Sequence, residues 1–467
     1  MIRPFLLALV FAQPALAQVQ GRDDPRGLIP PAQPFAAGRC APEAMQLTLD
    51  AAVNIALCRN PRTAVAWAAA QAGAAQAGAA RGALLPQVDA GIGPTLNRSQ
   101  SFAGTGFVDS GGQFIGGGAS TITNTTTSAR LGLSWLILDG GGRAGRIAAA
   151  DANAAALRAQ FDDATLAVVL EVVSAWNLLV ANRAIEQANI ANLEFARQSR
   201  DLAAARRDAG VATSADRLQG ETQAAQAELT LTQTRGNVAS AAARLAVAMG
   251  LPPATVLALA DLPPLAEAGA LRGDAEALIA EAERLRPDLR AARLQLEAAE
   301  ANVAVARSLG RPSVALQASN SLSALDTTID RNLSSAGITL SIPLFSGWNT
   351  RYQIAQARAQ QAQQAASLEQ VRQTAGLAVY QGYVGFENAL ASLVPARVLV
   401  TSATESAALA QGRYRAGTGT YADLLNAQNA LASARQQLVQ AEFNTRTAQA
   451  ELARAVGDMD GYRRATR

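Results

Sequence analysis

Apolar and polar residues along this chain follow two rhythms, and each rhythm occurs twice. From Leu47 to about Leu84 the spacing is helical and alanine-rich. Pro86 stops it, and Val88, Ala90 and Ile92 then alternate with other residues as in a strand. Beyond a Gly/Ser/Thr-rich stretch, Leu131, Leu133, Trp135 and Ile137 fall on one face of a second strand, which Asp139-Gly140-Gly141-Gly142 ends. From Arg143 to Asp208 there are 66 residues without proline, and Leu166, Val169, Val173, Trp176 and Val180 recur there at alternating steps of three and four. That is coiled-coil spacing, and a helix of this length extends about 99 Å, well beyond an ordinary globular helix. Ala209-Gly210 breaks it, and another helix runs from about Ala215 to Ala248.

The order then repeats. A helix near Ala275 to Leu309 leads to Arg311-Pro312, with strands around Val314–Ser319 and Gly337–Leu344. A long helix covers about Thr350 to Ala416, the turn Ala416-Gly417-Thr418-Gly419 follows, and a last helix runs to Val456. Pro61 matches Pro287, Arg81 matches Arg307 and Pro86 matches Pro312 at an offset of 226. Leu133-Ser134, Gly140, Gly210, Asp216 and Gly250 match Leu340-Ser341, Gly347, Gly417, Asp423 and Gly457 at 207. The change of 19 falls between about Ser99 and Ser128, so the copies differ by one elongated loop. The expected organisation is a repeat at 47–250 with a β-hairpin at 87–138, a connector at 251–274, and a repeat at 275–457 with a hairpin at 313–345. A Pro-rich lead-in at 18–46 precedes them and a tail at 458–467 follows.

In each copy the two shorter helices together match the long one in length. Each long helix can therefore pair throughout with two shorter ones stacked end to end, which predicts a rod. Two isolated hairpins are marginal in water, and four strands are too few to close a barrel. Strands of this length with an apolar outward face suit a membrane barrel to which several chains contribute.

Composition narrows the chemistry. All 40 basic residues are arginine, with neither lysine nor histidine, which excludes histidine-based catalysis and histidine metal sites. A net charge of +3 without a basic run gives no case for nucleic acid, and no cofactor motif is present. Gly140-Gly141-Gly142 lacks the lysine of a phosphate loop and reads as a turn. Residues 1–17 have the positive start, apolar centre and Ala15-Leu16-Ala17 end of a signal peptide. No other apolar run reaches 18 residues, so no transmembrane helix is expected. Cys40 and Cys58 are the only cysteines, and in an exported chain the pair reads as a disulfide, the alternative being two unpaired thiols. Ala37-Gly38-Arg39 before Cys40 is not a lipobox.

The duplicated order resembles the TolC family of outer-membrane efflux and secretion ducts. The resemblance rests on Asn60-Pro61, on Pro86 and Pro312 before the strands, on the exits Leu133-Ser134…Asp139-Gly140-Gly141 and Leu340-Ser341-Ile342-Pro343-Leu344-Phe345-Ser346-Gly347, and on the turns Ala209-Gly210 and Tyr414-Arg415-Ala416-Gly417. It implies a long antiparallel coiled-coil α-helical barrel continued by a trimeric, twelve-stranded outer-membrane β-barrel, each chain giving four strands. It further implies a homotrimer in outer-membrane lipid whose periplasmic tunnel docks on an adaptor protein and on an inner-membrane ABC transporter or proton-driven pump. The duct itself catalyses nothing and needs no cofactor or metal.

By the same resemblance the periplasmic gate lies at the turns of Gly210 and Gly417, with Tyr414 as gating tyrosine and Asp423 and Asn426 at the constriction. A latch arginine of the family falls on Gly419, its acidic partner falls on Asp216, and Arg415 is the nearest replacement. The residues also have plainer readings. Asp216 and Asp423 fit capping boxes, Tyr414 and Tyr421 fit packing, and Trp135 and Trp348 fit either an aromatic girdle or a core. The poor lipobox and the cysteine pair lean the function towards type I protein secretion. The alternatives are small-molecule efflux and a periplasmic coiled-coil scaffold without a pore.

Overall fold

Two prolines divide what the apolar spacing presents as single helices. The computed structural model describes residues 24, 27, 29–31, 47–102, 107–115, 119–259, 274–325, 328–459 and 461–462. The expected signal peptide, Cys40 with most of the lead-in, most of the connector and part of the tail lie outside these residues. The stretch after Leu47 is α1 (Leu49–Arg59) and α2 (Pro61–Gly82), not one helix. Proline lacks an N–H and drives the residue before it out of helical geometry, so Asn60 sits at ψ 127° and Pro61 starts the next helix.

The chain continues through β1 (Gln87–Phe102), β2 (Phe107–Val108), β3 (Phe114–Ile115), β4 (Ala119–Leu138), α3 (Gly142–Asp208) and α4 (Ser214–Ala248). The second copy has the same break at Arg286-Pro287, giving α5 (Ala275–Leu285) and α6 (Pro287–Ser308). It goes on through β5 (Ser313–Leu325), β6 (Thr328–Ser341), α7 (Asn349–Ala416) and α8 (Tyr421–Val456). The paired helices match closely: 11 and 22 residues in both copies, then 67 against 68 and 35 against 36. Only the strands drift, as the change of offset requires.

Contacts divide the chain into two compact units. One, built mainly from Ala74–Ala154 and Gln295–Gln364, holds a sheet of order β1-β4-β5-β6, antiparallel throughout. Residues opposite one another share a face, so Val88, Leu133, Ala318 and Ala336 lie in one apolar row, and Asp89, Gly132, Ser319 and Ser335 in a polar one. A bulge between Leu136 and Leu138 sets Leu138 opposite Val314, so Leu138 rather than the expected Ile137 continues the row beyond Trp135. β5 and β6 run further outward than expected, because Ser319–Leu325 pairs as strand despite its many serines.

The other unit, Ile29–Gly73, Ala155–Leu294 and Ala365–Arg467, is helical. Ala52, Val53 and Ala56 of α1, Val168, Val172, Val173, Trp176 and Leu179 of α3, and Leu245 of α4 form its main core. One stretch of α3 is apolar and long enough to cross a membrane by composition, but 44% of it is buried within the chain. α7 runs unbroken through Pro395, and Thr445 of α8 pins the preceding turn by donating to the Ala389 carbonyl at 3.1 Å.

The helix breaks are themselves fastened in a repeated way. Asn60 Nδ2 donates to the Ala248 carbonyl at 2.9 Å, and Arg286 Nη1 donates to the matching Ala455 carbonyl at 2.8 Å. Each residue before a proline therefore caps the last carbonyls of the helix that closes its own copy. Burial pushes the Asp288 carboxyl up, but hydrogen bonds and charge from Arg286 outweigh it and hold it below the usual value. Asn60→Ala leaves the Ala248 carbonyl buried without this donor, and a loss of about 1–3 kcal/mol in chemical denaturation is expected.

Candidate gate at the helix tips

α3 and α7 end alike. At the first tip the Gly210 N–H donates to the Arg207 carbonyl at 2.9 Å and the Val211 N–H to that of Arg206 at 3.0 Å. At the second, Gly417 donates to Tyr414 at 3.1 Å and Thr418 to Arg413 at 3.0 Å. These are Schellman ends, and they need a left-handed residue; Gly210 and Gly417 supply φ of 74° and 78°. Three residues on, Thr213 and Thr420 open α4 and α8 with complete capping boxes. The capping partners are Asp216 and Asp423. The two tips are thus the same device built twice.

Asp423 is fully exposed, and Asn426 lies exposed one turn further along α8. The side-chain and backbone hydrogen bonds from Thr420, with the charge of Arg413, hold the Asp423 carboxyl below its ordinary 3.8. A lowered folded pKa means that its contribution is present above the ordinary carboxylate value and is lost as pH falls through the lower folded one. The second tip should therefore loosen only below about pH 4. Conductance recorded across that range should change in the wild type and not in Asp423→Asn; an unchanged wild type contradicts the assignment.

Tyr414 is buried at the second tip. Its ring meets that of Tyr421 edge-on with centroids 5.3 Å apart, and both pack with Ala203 and Leu424. Burial, with smaller effects from Tyr414 and Asp216, pushes the Tyr421 hydroxyl up to about 12, and burial also raises that of Tyr414. Both hydroxyls are buried without a hydrogen-bond partner. Gly220 lets α4 come close here, since a Cβ on it would stand 2.9 Å from the Tyr421 hydroxyl and 3.0 Å from the Arg200 Cα.

The structure brings in one residue that the sequence did not single out. Arg206, in the last turn of α3, lays its guanidinium over the Tyr414 ring at 4.8 Å and donates from Nη1 to the Tyr414 carbonyl. It joins the tip of the first copy to that of the second. Arg415, the nearest replacement for the missing latch arginine, is exposed. Arg206 and Arg413 are matched in the repeat, and the carbonyl of each accepts the hydrogen bond that closes a Schellman turn, but nothing in the repeat marks the contact of Arg206 with Tyr414.

A four-stranded sheet with one apolar face, inserted among coiled-coil helices longer than any globular domain requires, defines an outer-membrane channel protein. The profile of the family described as outer membrane efflux protein matches residues 52–251 and 278–458, and the chain belongs to that family. Protein CyaE of Bordetella pertussis is 31% identical over 375 residues, 77% of this chain and 74% of its own length. Outer membrane efflux protein BepC of Brucella suis is 27% identical, over 61% of this chain and 62% of its own. The fold matches the outer-membrane channel OprN with a TM-score of 0.76 at 24% identity, over 88% of this chain and 90% of that one. It also matches the Campylobacter jejuni CmeC channel at 0.76 and 17%, over 88% and 85%. The protein resides in the outer membrane of a Gram-negative bacterium.

Proposed function

We propose that the protein is the passive, homotrimeric outer-membrane duct of a tripartite export system, receiving protein substrates from an inner-membrane ABC transporter through a periplasmic adaptor. One observation carries the duct: the sheet is apolar on one face and polar on the other, and its edge strands β1 and β6 each have only one partner. In lipid an open edge is untenable, so other chains must close it. A seam on α7 agrees with this, since Leu377, Tyr380, Val384, Val394 and Val398 recur at heptad spacing and are all exposed. A periplasmic scaffold without a barrel leaves that apolar sheet face unexplained.

Type I secretion is favoured over lipid-anchored efflux by the cysteines. No cysteine among the described residues is free, which agrees with a bridge from Cys58 to Cys40, and a bridged Cys40 has no thiol for lipid attachment. The likeness to a relative named as an efflux protein supports the second reading, small-molecule efflux with a proton-driven pump. Deleting the gene in its host separates the two. Loss of a protein from the culture medium with unchanged dye and antibiotic tolerance is expected; sensitisation without a missing secreted protein overturns secretion in favour of efflux.

A further inference from the structure

In the helical unit, part of the Pro-rich lead-in is held by side chains that the repeated fold does not itself require. Trp67 and Gln71 stand one turn apart on the same face of α2. The Trp67 indole N–H donates to the Pro31 carbonyl at 2.9 Å. The Gln71 side-chain amide donates to the same carbonyl at 2.8 Å and to that of Pro30 at 3.1 Å. Three side-chain hydrogen bonds therefore converge on two consecutive proline carbonyls. Ile29 and Pro30 are half-buried there, and Pro31 is exposed. The indole is fixed from α3. Its ring, only 4% exposed, meets that of Phe161 with centroids 4.9 Å apart. Arg158 lays its guanidinium over both rings, at 4.7 Å and 5.1 Å, and Asp162 holds Arg158 at 3.8 Å. The indole cannot turn its N–H away without breaking this stack, and a donor set in advance loses little freedom on binding.

Two observations mark this as recognition rather than helix packing. A proline pair has the form that such a site reads. Each ring fixes φ near about −65°, the residue before a proline is kept extended, and neither proline has an N–H. The carbonyls of such a segment make no hydrogen bonds among themselves and are left for outside donors, which is how aromatic grooves read polyproline II. The second copy, moreover, lacks the whole set. At the repeat offsets Trp67 and Gln71 correspond to Arg293 and Glu297, and Arg158 and Phe161 to Ala365 and Leu368. Arg293 donates instead to the Glu283 carbonyl at 2.8 Å. The helices are built twice and the clamp once, so helix packing does not account for it.

We propose that Trp67 and Gln71, backed by Phe161 and Arg158, form a recognition site for a polyproline-II segment, and that its resident ligand is the chain's own Ile29-Pro30-Pro31. The lead-in is then a strap held by a specific clamp, and a proline-rich peptide of the same form can take its place. Because the strap belongs to the chain, it competes at an effective concentration of about millimolar, so a free peptide gains the site only once the strap is released. The site stands independently of the duct reading, since every group in it lies within one helical unit.

The test is peptide binding to the full-length protein. A fluorescently labelled peptide of residues 27–33 should bind the Pro30→Gly, Pro31→Gly double variant at least about tenfold more tightly than the wild type, whose site its own strap fills. Adding Trp67→Phe to that variant keeps an aromatic ring but removes the donor, and should weaken binding about tenfold, the factor of one hydrogen bond. An unlabelled peptide with both prolines replaced by glycine should not compete. Failure of the double variant to bind, with its circular dichroism and melting midpoint unchanged, overturns the proposal. Equal binding by wild type and double variant overturns it too, since the peptide then sits elsewhere. A second measurement needs no added peptide. Trypsin should cut after Arg26, three residues ahead of Ile29, more slowly in the wild type than in Trp67→Phe or Gln71→Leu. Equal rates in all three would show that the two donors do not hold the lead-in.

Discussion

Arg206→Ala is expected to raise the closed-state conductance of the channel many-fold. Arg206 bonds the Tyr414 carbonyl and stacks on the same residue's ring at 4.8 Å, so its loss frees the α7 tip from the α3 tip at two points together. A part-buried cation–π contact and a charged hydrogen bond together contribute roughly 2 kcal/mol. Three protomers acting on one opening would shift the closed-to-open balance by roughly 6 kcal/mol, enough to move it across most of its range. Arg206→Lys keeps the charge but not the planar stack and should fall between the two. Tyr414→Phe should leave conductance unchanged, because the hydroxyl it removes has no partner, whereas Tyr414→Ala should resemble Arg206→Ala. A Phe variant as leaky as the Ala variant would place the lock on the hydroxyl and refute the role of the ring.

Gly250→Ala should be more destabilising than Gly457→Ala or Gly210→Ala. Gly250 and Gly457 both end their copy's last helix in the left-handed region, at φ 72° and 94°. A Cβ on Gly250 would stand 2.5 Å from the Arg59 carbonyl oxygen and 2.7 Å from its carbon, and backbone there cannot step aside. At Gly457 the nearest atoms are 3.3 Å away, and at Gly210 nothing lies within 4 Å. Left-handed strain alone costs about 1–2 kcal/mol, and forced backbone movement adds about 1–3 kcal/mol at Gly250. Thermal denaturation should order the losses Gly250 above Gly457 above Gly210. Equal losses at all three would mean that backbone strain, not the close approach of the helix break, governs these positions.

Much of this fold was legible because the chain repeats. Matching Gly210 with Gly417 and Asp216 with Asp423 locates both tips and both capping boxes from the repeat alone. The parity of Val88, Ala90 and Ile92 gave the face of β1 correctly, since alternation along a strand is a local property. The breaks at Asn60-Pro61 and Arg286-Pro287 were hidden because proline is tolerated in a first turn, and the apolar period runs on across it. The outer parts of β5 and β6 were hidden for the opposite reason: Ser319, Ser321 and Ser323 give no apolar alternation, and only the pairing of β5 with β4 and of β6 with β5 makes them strand. Arg206 was illegible as a fastening. Arginines abound in these helices, and only the meeting of the two tips distinguishes this one.

Single-channel recording of purified trimer in a planar bilayer measures directly whether the chain forms a gated, cation-preferring duct. Three copies of Asp423, each exposed at the start of α8, would favour cations at the opening and repel anions. The predicted result is a small cation-selective conductance that loses selectivity in Asp423→Ala and grows in Arg206→Ala. Absence of conductance in both the wild type and Arg206→Ala, from protein whose trimeric mass is established in the same preparation, would contradict it.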